Sequence, residues 1–260
     1  MTSPFGALQA LREKPLPPWQ PLMDKRHGYR SWPLSLDDSR NQEPLVKASD
    51  FGLAGETFYH SVHNPPYYTS VPGAPPWPYL RRGIIDRLLD IQNRLAEAGL
   101  ELWIYDGWRP TAVQAFFYHT WMPAEVRRRH PDFSGARVME EVGDYWARPA
   151  DGPLSPSPHL TGGALDCELR WKNSKRPLWF GSIFDDATAL SHTPHFEADR
   201  QVMAFSDEEA RANRRLLYWL MTGAGFVNNP TEWWHFSYGD QMWAKFRDEP
   251  FAFYGAVSLP

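Results

Sequence analysis

Between positions 80 and 95 the apolar residues Leu80, Ile84, Leu88, Ile91 and Leu95 recur at helical spacing. This predicts an amphipathic helix, with Gly99 placed for a left-handed C-terminal cap. Residues 100–105 alternate enough to predict a strand. Asp106-Gly-Trp-Arg-Pro110 then turns into a second helix, with Pro110 near its first position, where the missing N–H costs nothing. Arg109 is thereby expected at a strand-to-helix corner. Residues 123–147 read as one or two further helices, 150–158 as a stiff proline and glycine loop, and 164–169 as a strand. Ser206 and Glu209 have the spacing of a capping box. The helix behind them carries Leu216, Leu217, Leu220 and Met221 and should stop near Gly223 or Gly225. Residues 232–238, EWWHFSY, read as a buried aromatic strand.

Two stretches escape both periodicities. Residues 1 to about 40 are rich in proline and contain LPPWQP, which predicts an extended arm on the surface or over an edge. Residues 64–78 form a second proline cluster that breaks any regular element. The remaining strands and helices alternate without a regular βαβ beat. The expected architecture is therefore α+β: a single domain over residues 45–260, with a mostly antiparallel central sheet flanked by helices and an N-terminal proline-rich arm over residues 1–44.

Composition narrows the function. A net charge of -4 offers no basic field for a phosphate backbone, so no nucleic-acid partner is expected. No run approaches eighteen apolar residues, and the first residues lack a basic stretch leading into an apolar one. A membrane span and a secretory signal are both unexpected, and the cytoplasm is the default location. The single cysteine, Cys167, excludes an internal disulfide and suits a reducing compartment. Thirteen tryptophans predict large flat side chains that pack a core or wall a cleft.

Three short segments carry candidate chemistry. In Ser157-Pro-His159-Leu-Thr-Gly162-Gly163-Ala-Leu-Asp166 an imidazole on a loop and a carboxylate on the next strand are joined by two glycines that permit close backbone approach. A catalytic zinc wants three N or O ligands and an open position, and His159 with Asp166 would supply two. Glu232-Trp-Trp-His235 offers a third ligand in His235 and a proton acceptor in Glu232. Residues three apart in an ideal strand face opposite ways, so Glu232 must then lie in a turn, a bulge or the strand's first position. Arg109 presents a permanent charge suited to an oxyanion or a substrate carboxylate. Each has an ordinary alternative when taken alone: an unrelated His and Asp, a core histidine, and an arginine paired with Asp106. Cys167 follows Asp166 and should point to the opposite face as packing. His60 with His63, and His192 with His195, have metal-like spacing but no partner motif. The absence of GxSxG removes support for a serine hydrolase.

In the order WRP, SxHxxGxAxD, ExxH, the chain resembles the zinc D-alanyl-D-alanine dipeptidases, relatives of the D,D-carboxypeptidases and of the hedgehog signalling domain. The resemblance runs from roughly Lys47 to Ala244 through DGWRP, SPHLTGGALD, GSIFD and EWWHFSYGDQMWA. It implies one zinc ion per chain, at the sheet face, on His159, Asp166 and His235, with Glu232 as catalytic base and Arg109 stabilising the transition state. It also implies that Ser157 lies near the substrate and that Asp185 receives the ammonium of a small dipeptide. Alternatives on the same motifs are a carboxypeptidase acting on peptidoglycan stem peptides and an inactive zinc-binding module.

Overall fold

The computed structural model describes residues 3–149, 152–197 and 203–259, so Ala150 and Asp151 of the expected 150–158 loop lie outside the described residues. In chain order its strands are β1 (Leu45–Lys47), β2 (Ala54–Gly55), β3 (Tyr79–Arg81), β4 (Leu100–Asp106), β5 (Ala164–Trp171), β6 (Val227–Asn228) and β7 (His235–Ser237). Its α-helices are α1 (Gln9–Glu13), α2 (Trp19–Arg26), α3 (Arg82–Ala96), α4 (Thr111–Phe116), α5 (Met122–Arg129), α6 (Gly135–Tyr145), α7 (Phe205–Gly223) and α8 (Gln241–Phe246). The main sheet has the order β2-β4-β5-β7-β6. β2 runs parallel to β4 and the other three pairings are antiparallel, while β1 and β3 form a separate antiparallel pair.

Alternation along the strands sorts the two faces of this sheet. Leu102 and Ile104 on β4 and Leu165, Cys167 and Leu169 on β5 are buried in the core with Ile84, Leu88, Ile91 and Leu95 of α3. Cys167 is thus packing, as its place after Asp166 implies. Tyr105 is an extra residue in β4: Ile104 pairs with Cys167, but Asp106 pairs with Asp166. The bulge brings Asp106 onto the Asp166 side of the sheet. Since Asp166 also pairs with His235, one row of the sheet holds Asp106, Asp166 and His235 on three neighbouring strands.

Three expectations differ from what is found. Residues 1–44 are not simply extended, because α1 and α2 form within them. Phe5 and Leu8 enter the core, and Arg12 of α1 bonds to Asn213 and, at 2.7 Å, to Glu209 of α7. This contact also explains the missing capping box. The Glu209 carboxylate is taken by Arg12, the N-cap of α7 is Ala204 without a side-chain bond, and Ser206 lies inside the first turn. Finally, only 235–237 of the segment 232–238 are strand. Glu232 lies in a turn, where its N–H donates to the Asn229 carbonyl at 3.0 Å and its own carbonyl accepts from His235 at 3.2 Å.

Candidate metal centre

His159 reaches the sheet from a short 3-10 turn, Pro158–Thr161, that ends in Gly162 with φ of 71°. Gly163 follows under the Tyr238 backbone, where any Cβ would overlap the Tyr238 carbonyl oxygen. The two glycines therefore drop the chain from the turn into β5 within a few residues. Asp166 and His235 then meet the imidazole of His159. His159 Nε2 lies 3.1 Å from His235 Nδ1, His235 Nδ1 lies 3.1 Å from Asp166 Oδ1, and His159 Nε2 lies 3.3 Å from Asp166 Oδ2. Tetrahedral zinc with bonds of about 2.05 Å separates its ligands by about 3.3 Å, so this donor triangle matches in both chemistry and size.

The outer partners leave the inward nitrogens free to coordinate. His159 Nδ1 lies 2.8 Å from the Gly107 carbonyl, which can only accept, so Nδ1 carries a proton and Nε2 is the nitrogen turned to the triangle. His235 Nε2 lies 3.2 Å from Ser237 Oγ, and the Ser237 hydroxyl in turn bonds Asp240. Burial alone would raise the Asp166 carboxyl, but the charge and hydrogen bonds of the two imidazoles hold it well below the usual carboxylate range. Burial pulls His235 down, and its bond to Asp166 more than restores it, so its pKa is raised. Two imidazole nitrogens and a carboxylate at this spacing form a deprotonated ligand set when a cation replaces the shared proton.

Around the triangle stand the other expected residues. Glu232 Oε2 lies 3.7 Å from His235 Nδ1, with its side chain 23% exposed toward the cleft. Arg109 is buried and heavily engaged. Its Nε donates to Asp106 Oδ2 at 2.6 Å, Nη1 to Gln114 at 3.1 Å, and Nη2 to both Tyr59 Oη and Asp166 Oδ2 at 3.0 Å. The ordinary alternative, pairing with Asp106, thus holds together with a contact to Asp166. Ser157 is buried in the cleft wall and takes no side-chain part in capping the turn it starts. Asp185 lines the cleft in a left-handed conformation, φ 60°, and one oxygen, Oδ2, accepts from Tyr59 at 2.7 Å and Tyr67 at 3.0 Å. Asp186 also borders the cleft, but its carbonyl is tied to Ser191. The two other histidine pairs lie elsewhere: His60 contacts the Ala74 carbonyl, and His192 stacks on Trp19.

A family model described as D-ala-D-ala dipeptidase matches residues 80–254. The chain belongs to the D-ala-D-ala dipeptidase family. It is 37% identical over 184 residues to the D-alanyl-D-alanine dipeptidase of Synechocystis, covering 64% of this chain and 72% of that protein. It is 32% identical over 139 residues to the Escherichia coli K12 enzyme of the same name, covering 54% and 55%. A vancomycin-resistance D,D-pentapeptidase solved in complex with Zn(II) overlaps 68% of this chain and 81% of its own at 15% identity and a TM-score of 0.37, too slight to bear on the fold. The protein is thus a metallopeptidase of the dipeptidase type. Tyr59 and Tyr67, which hold Asp185, precede the family match; Tyr67 sits in the segment read from sequence only as a proline cluster, and no motif singled out Tyr59. The high aromatic content was the one signal that pointed to cleft walls.

Proposed function

We propose that this protein hydrolyses D-alanyl-D-alanine or a similarly small dipeptide at a zinc ion held by His159, Asp166 and His235. The observation that carries this reading is the closed triangle of three donor atoms with the Glu232 carboxylate 3.7 Å from one of them. Zinc there supplies Lewis-acid polarisation and an acidified water. Glu232 takes the proton from the attacking water and delivers it to the leaving amine. Arg109 spends four of its five N–H groups on fixed partners, among them the Asp166 carboxylate, and directs the remaining one on Nη1 to the oxyanion. Asp185 has Oδ2 engaged by two tyrosines, so Oδ1 is left to receive the substrate's ammonium, with Ser157 on the same cleft wall. A receptor for a free amino terminus supports a dipeptidase over a carboxypeptidase that acts on longer chains. A carboxylate in the Glu232 position would be superfluous in a purely structural zinc module.

The test is hydrolysis of D-Ala-D-Ala, L-Ala-L-Ala and an N-acylated D-Ala-D-Ala peptide by the zinc-loaded protein and by Glu232→Gln. Cleavage of the free D,D-dipeptide only, reduced about 100-fold or more in the variant with zinc content unchanged, is expected. Preference for the acylated peptide would replace this reading with the carboxypeptidase, and near-normal turnover by Glu232→Gln would remove Glu232 from the mechanism.

A further inference from the structure

A dipeptide carries two charges, and Asp185 answers only one. The cleft carboxyl groups, Asp166, Asp185, Asp186 and Glu232, cannot receive a substrate carboxylate, which needs a cation or a hydrogen-bond donor. Of the cleft's two guanidinium groups, Arg109 is already offset by Asp106 and Asp166. The other is Arg26, at the end of α2 and well before the matched family segment. Its Nε donates to Asn229 Oδ1 at 3.1 Å. Among the described residues no carboxylate pairs with it, and its four Nη hydrogens have no acceptor.

Its position follows from how the N-terminal segment is tied down. On one side of Arg26, Trp19 stacks on His192 with ring centroids 5.2 Å apart, and Lys25 Nζ donates to the Phe246 carbonyl at 2.9 Å. On the other side, Arg30 donates at 2.6 Å to the carbonyls of Arg148 and Ser155. The segment is therefore a strap held against the cleft, which Arg26 and Tyr29 line, rather than a loose tail. Asn229, which holds Arg26, also accepts the Glu232 N–H through its carbonyl and donates its own N–H to the His235 carbonyl. Arg26 is thus tethered to the turn that presents the proposed proton donor. The amine that Glu232 protonates belongs to the C-terminal residue of the substrate, and its carboxylate lies only two bonds beyond that nitrogen. A guanidinium on this turn and a carboxylate at Asp185 match the two ends of a zwitterion.

We propose that Arg26 receives the α-carboxylate of the substrate's C-terminal residue, so that the N-terminal strap completes the substrate site. This rests on the dipeptidase reading above, and the experiment separates the two. D-Ala-D-Ala and its C-terminal amide are compared as substrates for the zinc-loaded wild type, Arg26→Gln and Arg26→Lys. Their binding is followed in parallel by the fluorescence of the cleft tryptophans in the Glu232→Gln background. Arg26→Gln is expected to raise KM for the acid about 10- to 100-fold, with kcat within a few fold and the amide nearly unaffected. Arg26→Lys, which keeps the charge, should recover part of the preference for the acid. If acid and amide lose equally in Arg26→Gln, or neither changes, Arg26 is not the receptor. If the wild type hydrolyses neither compound but still binds the acid more tightly through Arg26, the carboxylate site stands and the dipeptidase reading falls.

Discussion

Asp185 shows how one side chain is prepared for the role proposed for it. Burial pushes its carboxyl up to about 8, with the nearby Arg109 charge and the Tyr59 hydroxyl pulling the other way. At neutral pH the empty site therefore favours the protonated acid, while an incoming ammonium requires the carboxylate. KM for the dipeptide should fall as pH rises from 6 toward 8, by at most about tenfold per unit, because the fraction of ionised Asp185 rises. A bound zinc ion adds positive charge that draws the inflection below that value without changing the sign. Asp185→Asn should abolish the slope, and Tyr59→Phe, which removes a donor to the ionised form, should move the inflection upward. A flat KM profile in the wild type would show that Asp185 does not receive the amine.

At the level of elements, the centre depends on sheet register more than on any loop. Asp106, Asp166 and His235 share a face because β4 carries one extra residue at Tyr105 and because β7 pairs with β5 directly at Asp166. Gly163 permits this by letting the β5 entry lie against Tyr238, whose N–H donates to the Gly163 carbonyl at 2.9 Å. Gly163→Ala should cost about 1–3 kcal/mol in urea unfolding and weaken zinc binding, since the displaced strand carries Asp166. Gly143→Ala, in α6 with open space around the new methyl, should instead stabilise by up to about 1 kcal/mol. Equal effects from both would deny the register a role. Much of this layer was legible in the sequence. The α3 face and the strands 100–105 and 164–169 follow from periodicity, and the glycine pair explains why His159 and Asp166 can meet. The false capping box at Ser206 shows the limit: local spacing favoured it, but Arg12, about two hundred positions away, takes Glu209.

For the whole molecule, the site is assembled from pieces that no local pattern joins. The metal triangle and Glu232 lie within the matched family segment, in compact motifs whose chemistry a sequence displays. Tyr59 and Tyr67, which bond Asp185, and Arg26 at the end of α2 come from earlier in the chain, and only the closed fold brings them to the cleft and its lining residues. Residues 1–44 were expected as a proline-rich arm on the surface or over an edge; in the structure α1 is bonded to α7 and α2 brings Arg26 to the cleft wall. Among the described residues no helix is long and apolar enough to cross a membrane.

The central claim is that His159, Asp166 and His235 hold one catalytic zinc ion, and the most direct measurement is a zinc titration of chelator-stripped protein, following D-Ala-D-Ala hydrolysis and bound metal together. Activity should rise linearly and break at one equivalent per chain, and His235→Ala should neither retain the metal nor regain turnover. Full hydrolysis by the stripped protein, or zinc bound at one equivalent by a variant lacking His235 and Asp166, would contradict the account.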